Sequence, residues 1–96
     1  MKPSEALNVY REQIKLVAEQ HHTHNLRVFG SVLHGNDSPE SDLDLLVDPL
    51  PETTLMDIAR IQSRLQQLTG VHVDVVTPKA LPPKFRDQVL SEAVPV

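Results

Sequence analysis

Asp42 and Asp44 stand two residues apart within Ser41-Asp42-Leu43-Asp44-Leu45-Leu46-Val47, an otherwise apolar run. Strand side chains alternate with period two, so both carboxylates would project from one face. Upstream, Gly30-Ser31 offers backbone N–H groups and a hydroxyl that can grip phosphate oxygens, especially at a helix N-terminus, where the partial positive charge favours anions. A third carboxylate, Asp74, lies in the β-branched run Val71-His72-Val73-Asp74-Val75-Val76. Three converging carboxylates repel one another and raise at least one pKa, and burying them unpaired is costly. Magnesium removes that difficulty. It takes oxygen ligands, usually one or two carboxylates completed by phosphate oxygens and water, so a nucleoside triphosphate would complete such a site. In a two-metal arrangement the ions lie about 3.5–4 Å apart and stabilise the attacking and leaving oxygens of an in-line displacement. Asp42 and Asp44 are the expected metal ligands. Asp74 would ligate the metal nearer the acceptor and help remove the proton of its hydroxyl.

The elements needed to position these groups are legible in the hydrophobic pattern. Leu7, Tyr10, Ile14 and Val17 recur at steps of three and four, which predicts one amphipathic helix from Ser4, as N-cap, to about His22. Leu26 to Phe29 reads as a strand feeding the Gly30 turn, residues 31 to 35 as a short helical turn, and Asn36 to Ser41 as a loop. Asp42 to Val47 is the second strand, stopped by Pro49 and Pro51. Leu43, Leu45 and Val47 share its buried face, with Asp42, Asp44 and Leu46 on the other. Thr54 and Asp57 form a capping box for a helix with apolar Leu55, Ile58, Ile61, Leu65 and Leu68, stopped by Gly70. Val71 to Val76 is the third strand. After Pro82-Pro83 comes a short last helix with Phe85, Val89 and Ala93 as its apolar stripe. The short link between the first two strands suits an antiparallel pair, and the crossover through the long helix a parallel one. An α+β fold follows: a small mixed sheet with helices packed on one face and the three aspartates on the open face.

With 96 residues the chain is read as a single domain, 1–96, too short to add a separate substrate domain. Its acceptor would therefore arrive on another molecule. Nine Lys and Arg against thirteen Asp and Glu give a net charge of −4, so the global basic footprint of a nucleic-acid binder is missing. Without cysteine there is neither a disulfide framework nor a thiolate zinc site. The beginning lacks a signal-peptide core and no apolar run is long enough to span a membrane, so a soluble, cytoplasmic protein is expected.

Gly30-Ser31, the spacer through Gly35, the Ser41-Asp42-Leu43-Asp44 strand and the later Val73-Asp74-Val75-Val76 strand resemble the nucleotidyltransferases related to DNA polymerase β. From about residue 26 onward the chain is similar to the minimal nucleotidyltransferases, the MntA-type antitoxins encoded beside HEPN toxins. That resemblance implies the polymerase β-like fold, with Asp42, Asp44 and Asp74 as catalytic, metal-ligating carboxylates and Gly30, Ser31 and Ser41 as nucleotide-binding residues. It also implies transfer of AMP from ATP, with magnesium, to a tyrosine of the partner HEPN ribonuclease, with loss of pyrophosphate and silencing of the toxin. One position departs from the pattern. Many minimal transferases have Ala-Arg where this chain has Leu33-His34, and histidine is mostly neutral at pH 7 whereas arginine is always charged.

Two other functions remain open at this point. One is a non-catalytic antitoxin that neutralises its toxin by binding, motivated by His34 and by Val94 and Val96 as a docking patch. The other is nucleotide transfer to a small molecule. His21, His22 and His24 read as dipole partners at a helix end or exposed linker residues rather than a metal site. Asp37 and Glu40 read as solvated loop charges, and Lys79, Lys84 and Arg86 as a solvated face. His72 shares the face of Asp74 and reads as a partly exposed strand residue.

Overall fold

The amino-terminal stripe folds as two helices, not one. In the computed structural model, which describes residues 1–96, α1 runs Pro3–Val9 and α2 runs Arg11–Gln20. Tyr10 alone leaves helical geometry, at φ −108° and ψ 18°. The stripe survives the break, since Leu7, Ile14 and Val17 enter the same core. The cap moves from Ser4 to Lys2, because Pro3, with φ preset and no N–H to satisfy, takes the first helical position. Ser4 instead donates its N–H to Asp37 Oδ2 at 2.9 Å. This bond holds the Asp37 carboxyl below the usual range. Asp37 thus ties α1 to the loop before Asp42 while staying partly exposed.

The strands are β1 (Thr23–Phe29), β2 (Leu43–Pro49), β3 (Val73–Val76) and β4 (Val94–Pro95), in one sheet of order β3-β2-β1-β4. β1 and β2 are antiparallel and β2 and β3 parallel, as the connections require. β1 starts earlier than its apolar run because Thr23 is buried, its hydroxyl donating to Ala18 O at 2.7 Å. β3 starts later, at Val73, after the Gly70 stop. β4 is absent from the sequence reading, for two residues that include a proline carry no periodic signal. Of the two valines expected as a docking patch, Val94 pairs through its backbone with Val28 and leaves its side chain 45% exposed, whereas Val96 packs on the core.

α3 (Gly30–His34) follows β1 directly. α4 (Leu55–Thr69) has the expected capping box, with Thr54 Oγ1 accepting the Asp57 N–H at 3.3 Å and Asp57 Oδ2 accepting the Thr54 N–H at 2.9 Å. Gly70, at φ 74°, closes it in the left-handed region. Helices α1, α2 and α4 pack on the sheet over Leu43, Leu45, Val47, Val73 and Val75, with Ile14, Ile61 and Leu65 filling the layer between.

The opposite face is open only in part. Leu46, on the Asp44 face, is fully buried. There a 3-10 turn, Pro78–Ala80, packs against β2, and Leu81 beyond it is buried as well. Arg86 secures this turn by donating to the carbonyls of Pro78, Lys79 and Leu81 at 3.0, 3.2 and 2.9 Å, so it is a structural clasp, not part of a solvated basic face. It extends from α5 (Pro83–Glu92), which has no buried residue. The stripe expected there does not form: Phe85 is 51% exposed. No helix is long and apolar enough to cross a membrane.

Candidate active site

Strand register brings the glycine turn and two of the three aspartates together. Phe29, the last residue of β1, pairs with Asp44, and Asp44 pairs in turn with Asp74. The central strand therefore carries Asp44 with the Gly30 turn on one flank and Asp74 on the other. Asp42 lies just before β2 on the same side, more exposed. Gly30 has a φ of +74°, and a Cβ built there would lie 2.3 Å from Asp44 Oδ2. Only glycine meets both conditions, the left-handed backbone and the carboxylate packed against its Cα.

The charges are unbalanced where these groups meet. Burial first, then Asp74 and Asp42, push the Asp44 carboxyl up to about 6 from 3.8, with His72 pulling the other way. His72 Nδ1 lies 2.9 Å from Asp42 Oδ1. This contact is the site feature that the sequence reading missed. The signal was the parallel register: Leu43 opposite Val73 brings the preceding residues, Asp42 and His72, alongside. His72 is exposed and precedes β3, so it is no strand residue.

Ser31, partly buried, occupies the first turn of α3, whose leading N–H groups have no intrahelical acceptor. Ser41, expected at the nucleotide, lies in the turn just before Asp42. Its hydroxyl accepts the Ser38 N–H at 2.9 Å and its N–H donates to Ser38 O at 2.9 Å, so it closes the turn that leads into Asp42. Beside Gly30 a cleft of about 270 Å³ opens between α3 and α5, lined by Phe29 and His34 on one side and Phe85, Val89 and Glu92 on the other. His34 Nε2 reaches across to Glu92 Oε2 at 3.2 Å. The three histidines after α2 diverge: His21 meets Arg64 at 3.0 Å, His22 meets Asp57 at 3.4 Å, and His24 is exposed.

No three Asp, Glu or His side chains already close around an ion position. The donor set nonetheless suits a hard divalent cation. Asp44 and Asp74 are strand neighbours, burial and the neighbouring carboxylates oppose ionisation of Asp44, and magnesium needs only one or two carboxylates when phosphate supplies other ligands.

The family model for the nucleotidyltransferase domain matches residues 10–96. The chain belongs to the nucleotidyltransferase domain family. This nucleotidyltransferase is 32% identical over 80 residues to "Protein adenylyltransferase MntA" of Thermococcus cleftensis, with 83% of this chain and 81% of that one covered. It is 30% identical over 90 residues to "Putative protein adenylyltransferase MJ0435" of Methanocaldococcus jannaschii, with 94% and 97% covered. Among solved structures, one described as a "putative minimal nucleotidyltransferase" superposes with a TM-score of 0.86 at 43% identity, covering 97% of this chain and 95% of that one. A toxin-antitoxin structure with AMP-PNP shares the fold at 17% identity, with a TM-score of 0.74 and coverage of 88% and 69%. The mixed sheet and its helices are thus those of a minimal nucleotidyltransferase of the polymerase β-like fold.

Proposed function

We propose that this nucleotidyltransferase is the antitoxin of a HEPN ribonuclease toxin and transfers AMP from ATP to a tyrosine hydroxyl of that toxin, with magnesium and in the cytoplasm. One observation carries the reading: the Gly30 turn lies so close to Asp44 that no Cβ fits between them. A phosphate-gripping turn and a carboxylate cluster in contact are what a metal-assisted triphosphate reaction needs, and either alone would be ordinary. The relatives named protein adenylyltransferases support a protein acceptor.

In this reading Gly30 and Ser31 hold the outer phosphates through backbone N–H groups and the serine hydroxyl. Asp42, Asp44 and Asp74 would hold two magnesium ions, which supply positive charge against the triphosphate and the developing negative oxygens. The tyrosine oxygen forms a bond to the α-phosphorus while the bond to the bridging oxygen breaks, and pyrophosphate leaves with that electron pair. Asp74 takes the hydroxyl proton. Ser41 acts by holding the approach to Asp42. The product places a bulky phosphodiester and a negative charge on the toxin, where an anionic RNA must bind.

Incubation with ATP labelled at the α-phosphate, magnesium and the toxin should label a toxin tyrosine. A folded pair that acquires no label would overturn the reading. Asp42→Ala and Asp44→Ala should each abolish labelling, and full activity in either would remove that residue from the metal site. A second reading, neutralisation by binding alone, is favoured by one contact: His34, which stands where many minimal transferases have arginine, is engaged by Glu92. Neutralisation that survives loss of Asp42, Asp44 and Asp74 together would select it.

A further inference from the structure

β3 is a four-residue edge strand, and the amides on its outer edge have no neighbouring strand. Those of Val73 and Val75 are poorly placed for water, since the two residues are 0% and 4% exposed. A buried N–H without an acceptor is costly, so another group must supply one. Two glutamines of α4 do so. Gln66 Oε1 accepts the Val73 N–H at 3.1 Å, and Gln62 Oε1 accepts the Val75 N–H at 3.0 Å. The match is geometric: residues four apart on a helix rise about 6 Å, and alternate residues of a strand about 6.6 Å. A pair at i and i+4 on α4 can therefore bond amides at j and j+2 of a strand packed against it.

The residue between the two clamped amides is Asp74. Its carboxyl side faces the site, and its strand is held to β2 on the other edge, where Leu43 N–H donates to His72 O at 2.9 Å. We propose that Gln62 and Gln66 are positioning residues for nucleotide transfer: they clamp β3 along α4 and so fix Asp74 opposite Asp44. The proposal rests on the transfer reaction assigned above. The pair also closes the sheet edge to other strands. A positioning role differs from edge protection in what it does to the reaction. The Gly30-Ser31 turn lies on the other flank of Asp44, so loosening β3 disturbs the acceptor side and leaves the triphosphate grip intact.

The test compares Gln62→Met with Gln66→Met, singly and together, against the pair Gln62→Glu with Gln66→Glu, which retains an acceptor oxygen at each position. Gln67→Met, an exposed neighbour on α4, is the control. Both Met substitutions should speed amide exchange at Val73 and Val75 by about tenfold or more and shift the Asp74 backbone amide signal. They should lower kcat for transfer on the order of 10–100-fold, the usual range for groups that orient a ligand, with KM for ATP little changed. The Glu pair should restore both readouts, and Gln67→Met should alter neither. If the double Met variant fails to fold, the single variants carry the same comparison. An unmoved Asp74 signal, or a kcat within about twofold of wild type in folded Met variants, overturns the positioning role. A wild-type chain that transfers no AMP overturns the proposed function instead, and exchange at Val73 and Val75 with the Asp74 signal then decides the clamp by itself.

Discussion

The two ends of the sheet use aspartate in opposite ways. At the end where β2 leaves the sheet, Asp48 is paired with Arg27 and accepts from Asn25 at 2.8 Å. Nearby, Asp57 caps α4, and the Thr54 N–H, with His22 assisting, holds its carboxyl below the usual range. At the other end Asp44 has carboxylates for company. Burial, Asp74 and Asp42 push it up to about 6. Each acid at the first end has a cation or an amide donor within reach and serves the fold. The cluster at the second has the His72 contact to Asp42 and is otherwise left without positive charge, an arrangement that costs stability until a cation arrives. A carboxylate whose environment opposes its ionisation therefore marks the site better than the presence of aspartate does.

The largest break in this contrast is expected from Gly30→Ala. The added Cβ would meet Asp44 Oδ2 at 2.3 Å on a backbone at φ +74°. Transfer should fall on the order of 10²–10³-fold, the scale seen when preorganised electrostatic groups are displaced. Thr54→Ala is the matched change at the fold-serving end. Loss of this cap should cost about 1 kcal/mol, or a fall in Tm of roughly 4–8 °C, with kcat per folded molecule unchanged.

Asp44→Asn should separate the two ends further, by raising Tm while abolishing transfer. The folded pKa of Asp44, about 6, lies above its ordinary 3.8. The folded state thus holds the proton more tightly, and this contribution to stability is complete below about pH 4 and is lost as pH rises through 6. Asparagine removes the penalty, so the variant should melt higher than wild type above pH 6 and lose that advantage below about pH 4. Because the site is half open to solvent, the gain should be only a few degrees. The smallest change is expected from His72→Ala. His72 opposes the upward push on Asp44, so its removal should move the Asp44 carboxyl titration, followed by NMR, further up.

The α4 cap, the Gly70 stop, the strand pairings and the aspartate face were legible because each depends on a local pattern: a capping box, a left-handed glycine, a connection length, a period of two. What depended on contacts between distant residues was not. The distant Asp37 takes the amide of Ser4, the expected N-cap residue, whereas the earlier helix start at Pro3 is a local effect. The closed half of the sheet face came from the turn after β3, which Arg86 holds from beyond it. In the candidate site, the placing of the three aspartates and Gly30 at one end of the sheet was readable by type and spacing. The His72 contact with Asp42 needed the register of a parallel pair, and the His34 contact with Glu92 needed the position of α5.

The most direct test is thermal melting at pH 8 with magnesium and a non-hydrolysable ATP analogue. If the acidic end of the sheet is built for cation-bound triphosphate, ligand at about 100 times its Kd should stabilise the wild type by about 2.7 kcal/mol. Asp44→Asn, although more stable without ligand, should gain far less. An equal gain in wild type and Asp44→Asn would show that the cluster around Asp44 does not hold the metal-nucleotide complex.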